Sequence, residues 1–276
     1  MKAALISEYR KFVTTRMWWV LLLTMALYMV FLAAVMAFSV SIDPAQGGMG
    51  SMNPADPTAP MTAFAPIDLA LTIYTLAPAL GYVFPLLIGA LSVAGEFRHM
   101  TVTPTFLAEP RRSLVLAAKL LASIPIGLLY GLLGTLSVVG GGAAVLALMG
   151  EDPLLTNPEV LQTVAMSVVA LTVWAMVGVG FGTVLKNQVA AIVVVLAFTQ
   201  LVEPMLRFAF GFIEQLRGVS KWLPGSAGDA IAGSSFYSTI GINELLPRWQ
   251  GFAVLVGYAL VLATIGRFTT LRRDIT

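Results

Sequence analysis

Residues 17–40 run for 24 positions without an Asp, Glu, Lys or Arg, and that run removes most of the folds open to a chain of this size. A helix of that composition in water must be buried on every side, whereas in a bilayer it crosses a hydrocarbon core of about 30 Å at 1.5 Å per residue. The pattern recurs at 69–94, 120–149, 160–185 and 251–265, and at 189–212 with two charges, Glu203 and Arg207, inside it. Only 11% of the 276 residues are charged, against roughly 25% in a soluble domain. The sequence therefore predicts an all-α integral membrane protein whose residues 17–276 form a single six-span domain.

Residues 1–16 read as an amphipathic interfacial helix. At about 100° per residue, Leu5, Ile6, Tyr9, Phe12 and Val13 share one arc, and Ser7, Glu8, Arg10, Lys11, Thr14 and Thr15 fill the other, so the basic face is expected toward anionic headgroups. The apolar run that follows is far longer than the core of a signal peptide. Trp18 and Trp19 anchor the first span at an interface. Pro78 and Pro85 are expected to kink the second and Pro125 the third. The segment 41–66, rich in Pro, Gly and Met and without Lys or Arg, reads as an exposed outer loop, and periodicity leaves 213–249 unassigned.

Charge placement gives an orientation. Lys2, Arg10, Lys11, Arg16, Arg98, Arg111, Arg112, Lys119, Lys186, Arg267, Arg272 and Arg273 fall on one side of a six-span arrangement, 12 of the 16 basic residues. Positive-inside asymmetry then puts both termini in the cytoplasm. A net charge of only +2 gives no footprint for nucleic acid. High Ala, Gly and Val with few Lys suggests a GC-rich bacterial source, hence a cell-membrane location.

Few residues suit catalysis. The chain has no cysteine, which removes thiol chemistry, and no acidic spacing suggests a metal. It lacks the phosphate-cradling G-x-x-x-x-G-K-[ST] loop, so no nucleotide cofactor is expected on this chain. Gly178, Gly180 and Gly182 lie within an apolar span and read as helix packing, as do Gly127 and Gly131. Ser234 and Ser235 have no histidine on their side of the membrane, because the one His99 belongs to the opposite side. Glu203 and Arg207, four residues apart in the fifth span, can pair on one helix face. They are candidates for a gate or substrate path, or for a structural pair around Pro204.

The remaining polar feature is the island over 96–119, which reads Glu96-Phe97-Arg98-His99-Met100-Thr101, then Pro110-Arg111-Arg112-Ser113 and Ala118-Lys119. Thr103 and Pro104 suggest the start of a short helix. Phe106 and Leu107 offer an apolar knob among Arg98, Arg111 and Arg112. With the N-terminal helix and six spans, this island resembles that of the ABC-2 type permease family. There the loop carries an acidic residue, a basic or polar one, a Gly-Thr pair, a Pro/Ser/Arg turn and a Lys opening the third span. Met100 stands here where Gly is common.

The resemblance implies a transporter subunit rather than an enzyme. In that family, two copies, or one copy and a related permease, assemble in the lipid. Each engages a separate cytoplasmic ABC ATPase, which holds ATP and Mg, through a coupling element after span two. Here that element includes Glu96, Arg98, His99, Thr101, Phe106, Leu107, Arg111, Arg112 and Lys119. It also implies export of an amphiphilic or hydrophobic substrate (drug, lipid or peptide) and re-entrant helices between spans five and six. Two other classes stay open on the sequence: a polytopic enzyme acting on lipid and an energy-independent permease.

Overall fold

The computed structural model describes residues 2–42, 64–239 and 244–270. Of the expected outer loop over 41–66, residues 43–63 lie outside the described residues, as do Arg272 and Arg273, and Pro66 already belongs to a helix. Among those described the chain is helical, and six segments are long and apolar enough to cross a membrane. The protein is a multi-pass all-α membrane protein.

Helix α1 (Lys2–Thr14) is followed closely by α2 (Met17–Ser41), the first span. The joint is held by Trp18, whose indole N–H donates to the Val13 carbonyl at 3.2 Å and whose ring lies 5.7 Å from that of Phe12. The second span, Pro66–Arg98, is broken into α3 (Pro66–Tyr74), a π turn over Ala77–Gly81 and α4 (Val83–Arg98). Pro78 sits in the π turn, where its missing N–H interrupts the ladder. A short helix, α5 (Val102–Ala108), precedes α6 (Arg112–Met149), 38 residues and about 57 Å long at 1.5 Å per residue. Span three thus starts eight residues before the expected 120, and Pro125 lies inside a continuous helix.

Spans four and five are capped as their sequences dictate. The Asn157 side chain accepts the Glu159 N–H ahead of α7 (Pro158–Val184), and Asn187 accepts from Val189 and Ala190 ahead of α8 (Gln188–Ala197). A π turn over Phe198–Val202 leads to α9 (Glu203–Phe212), in which Pro204 occupies the first turn. Between spans five and six lie α10 (Arg217–Ser220), α11 (Pro224–Ala232) and α12 (Phe236–Thr239). All nine residues of α11 are buried against α7 and α13 (Arg248–Thr269). The described part of the stretch that periodicity left unassigned thus holds short helices, of which α11 is buried in the bundle. The sixth span is longer than expected at both ends, Arg248–Thr269 rather than 251–265.

Spans two and four are the core of the bundle: 83% and 61% of their apolar windows are buried, against 22–33% for the other four. Small residues allow this. A Cβ on Gly178 would collide with the Leu86 carbonyl, one on Gly182 with that of Ala90, and one on Gly89 with that of Ala175, so α4 and α7 touch backbone to backbone. Gly127 and Gly131 lie equally close to Thr172 and Val168 across the α6–α7 seam. The outward faces of the peripheral spans carry Leu27, Phe31, Leu136 and Val261, all exposed, as lipid contact requires.

Gly178→Val is therefore expected to destabilise by about 3 kcal/mol or more through overpacking. Gly140→Ala, where an added Cβ meets nothing within 4 Å, should stabilise by about 0.5–1 kcal/mol. Unfolding of the detergent-solubilised variants measures both, and equal effects would contradict the close α4–α7 contact.

Candidate functional site

The polar island folds as two turns around a helix rather than as a loop over 96–119. Glu96 and Arg98 end α4, and Arg112 to Lys119 belong to α6. The α4 end is a Schellman closure, in which the Thr101 N–H bonds to the Glu96 carbonyl at 3.0 Å and the Met100 N–H to that of Phe97 at 3.4 Å. This places Met100 at φ +55°, in the left-handed region that disfavours side chains by about 1–2 kcal/mol. The position where the sequence departs from the Gly-Thr pair is thus one that favours glycine. Thr103 does not cap α5. Thr101 precedes the helix, and Pro104 falls within its first turn.

Glu96 and Lys119, expected at a partner-facing surface, are turned inward at 7% and 5% exposure. Burying a carboxylate or an ammonium requires a partner, and α1 supplies it. Lys119 Nζ lies 2.7 Å from Glu8 Oε2 and 2.8 Å from Glu96 Oε1, and donates to the Ser92 carbonyl at 3.2 Å. Lys11 Nζ completes the square at 2.9 Å from Glu8 Oε1 and 2.6 Å from Glu96 Oε1. Its third bond, 3.2 Å, goes to the Thr105 hydroxyl on α5. Each ammonium uses three donors, and two positive charges balance two negative ones. Four helices meet at this network.

Glu8 and Lys11 therefore do not share a face turned to headgroups. They point into the protein, while Ile6, Tyr9 and Val13 are the exposed apolar edge of α1. Burial alone would raise the Glu8 carboxyl, but Lys119, then Lys11, outweigh it and hold the group below the usual carboxylate range. Burial would lower the Lys11 ammonium, but Glu96 and then Glu8 hold it above its ordinary value. Beside the network a cavity of about 340 Å³ is lined by apolar Ile88, Leu91, Ala122 and Ile126 together with Glu8, Lys11, Glu96 and Lys119.

The other island residues remain near the surface. Arg98 donates to the Gln188 side chain at 3.3 Å, Arg111 pairs with Glu109 at 2.9 Å, and His99 and Thr101 are exposed. Phe106 is half-buried, packing toward Val93 and Leu116 with the Arg112 guanidinium 5.2 Å from its ring. The exposed apolar tip is Leu107, 79% exposed, with Met100 at 75%. The knob is Leu107 rather than Phe106.

Glu203 and Arg207 do pair, with Nη2 at 3.1 Å from Oε1, and a third charge joins them. Asp229 on α11 accepts from Arg207 Nη1 at 2.7 Å. Glu203 also accepts from the Gly225 N–H and, at 3.2 Å, from the Tyr82 hydroxyl, while the Tyr237 ring lies 4.9 Å from the guanidinium. Both charge clusters contain members the sequence reading missed. Glu8 is the only acid in the N-terminal helix, and Asp229 is the only charge in the small-residue stretch PGSAGDAIA. Those isolations were the available signals.

In comparisons with known proteins, no family model matches the chain and no curated protein sequence matches it.

Removing Lys119 leaves two buried carboxylates with only Lys11 between them, so Lys119→Met should lose about 3–5 kcal/mol of stability. Lys11→Met should lose less, since that side chain is 36% exposed. The Glu8 contribution is full above its ordinary value of 4.5 and disappears as pH falls through its lowered native value. The Lys11 contribution is full below 10.5 and disappears as pH rises through its raised native value. Unfolding temperature against pH should therefore show a plateau between these limits. Lys119→Met should weaken the acid limb, and an unchanged profile would contradict the network.

Proposed function

We propose that this protein is the membrane-spanning subunit of an ATP-driven exporter of the ABC-2 type, working with a separate cytoplasmic ATPase that holds ATP and Mg. The observation that carries the proposal is α5. It is a short helix between spans two and three, it presents Leu107 to solvent, and it is hydrogen-bonded through Thr105 to the ion network that joins α1, α4 and α6. A partner pressing on α5 would act on three helices at once. Arg98, His99, Arg111 and Arg112 surround it with basic character suited to an acidic rim on that partner.

In this reading both termini are cytoplasmic, the protein resides in the bacterial cell membrane, and it acts as a homodimer or beside a related permease. The substrate is amphiphilic or hydrophobic. The cavity beside the network, apolar with charged groups along part of its lining, is chemically suited to such a molecule. Glu203 and Arg207, sealed by Asp229, fit a structural role better than an open substrate path.

Leu107→Glu should weaken ATPase binding by about 2 kcal/mol or more and abolish its copurification, leaving the unfolding temperature unchanged. Phe106→Ala should instead loosen α5 itself. If Leu107→Glu still retains a fully active ATPase, α5 is a connector and the proposal fails.

A further inference from the structure

The Glu203, Arg207 and Asp229 cluster does not balance. One guanidinium faces two carboxylates, all three side chains are at most 2% exposed, and the sum is one negative charge in a sealed, apolar setting. The effective penalty for an uncompensated ion in such a place is several kcal/mol. Among the described residues, the other polar groups around α11 do not supply the missing charge. Tyr82, Tyr237 and Tyr258 are neutral phenols, and Ser226, Ser235 and Trp174 carry no charge. Arg248 donates to the Ala232 carbonyl at the C-terminal end of α11. The Glu203 carboxylate accepts from Arg207 Nε and Nη2 and from the Gly225 N–H, and shares the one Tyr82 hydroxyl proton with the Thr199 carbonyl. Asp229 is different. Its Oδ2 takes Arg207 Nη1, and its Oδ1 is buried without a hydrogen-bond partner.

We infer that the bundle binds one proton at Asp229 Oδ1. The proton comes from water and takes the cluster from one excess negative charge to neutrality, with Arg207 and Glu203 remaining ionised. Hydrogen bonds to a charged form favour that form, so the proton resides on Asp229 Oδ1, which has no hydrogen-bond partner, rather than on the donor-rich Glu203. The Ser235 side chain faces the Asp229 carboxyl, where its hydroxyl donates toward the ionised form and can turn to accept from the new O–H. Opening the α9–α11 seam to water would release this proton. The inference does not depend on the proposed transport function, since it follows from the charge count and the unpartnered Oδ1.

Infrared spectroscopy of the purified protein at pH 7 reads the proton directly. The expected result is a carboxylic-acid C=O band that moves to lower wavenumber when aspartate, but not glutamate, carries ¹³C in the side-chain carboxyl. The band should be lost in Asp229→Asn, whose amide matches the neutral acid and should leave the unfolding temperature unchanged. If that variant does not fold, the isotope shift in the unsubstituted protein still decides. The absence of any such band at pH 7 would overturn the inference, as would a band that moves with labelled glutamate or survives in Asp229→Asn.

Discussion

Lys119 holds a full positive charge where its side chain is 5% exposed, and the ends of four helices are arranged around keeping it paired. Removed from water, an ammonium and a carboxylate attract strongly but have lost hydration, so the network persists only with near-complete hydrogen bonding. Glu8 reaches it only if α1 lies against α6. Glu96 reaches it only if α4 continues past the apolar span, and Lys11 closes it only if α5 sits where Thr105 can accept. The orientation of the N-terminal helix and the placement of α5 are thus consequences of one electrostatic requirement.

The two buried clusters solve the same problem differently. Near the α4–α6 junction, two lysines meet two carboxylates and every ammonium proton has an acceptor. Around α11, a single arginine serves two carboxylates and leaves an oxygen without a donor. The first is a fastening with no vacancy. The second carries an imbalance where α11 packs against spans four and six, so its neutrality depends on protonation rather than on another side chain.

Much of this architecture was legible in the sequence. Long apolar runs, charge-free in all but the fifth, located the six spans because each helix must satisfy its backbone internally in lipid, and Pro78 marked the break in span two. Glu203 and Arg207 could be paired from spacing alone. Helix ends were less legible: polar residues such as Arg112 and Lys119 look like loop in a hydropathy pattern, although a helix can continue past the bilayer when neighbours pair its charges. Tertiary partners were invisible. Nothing local ties Lys119 to Glu8, 111 positions away, or Arg207 to Asp229 on a short buried helix. Phe106 and Leu107 are adjacent, and only the packing of α5 decides which of them is exposed.

The central claim is that α1 and α5 are mechanically joined through Lys11. Hydrogen–deuterium exchange over 2–14 and 102–108, comparing the unsubstituted protein with Lys11→Met, tests it most directly. The network predicts that amide protection falls in both helices together while the cores of α4 and α7 stay protected. Unchanged exchange in α5, with loss confined to α1 or absent altogether, would contradict it.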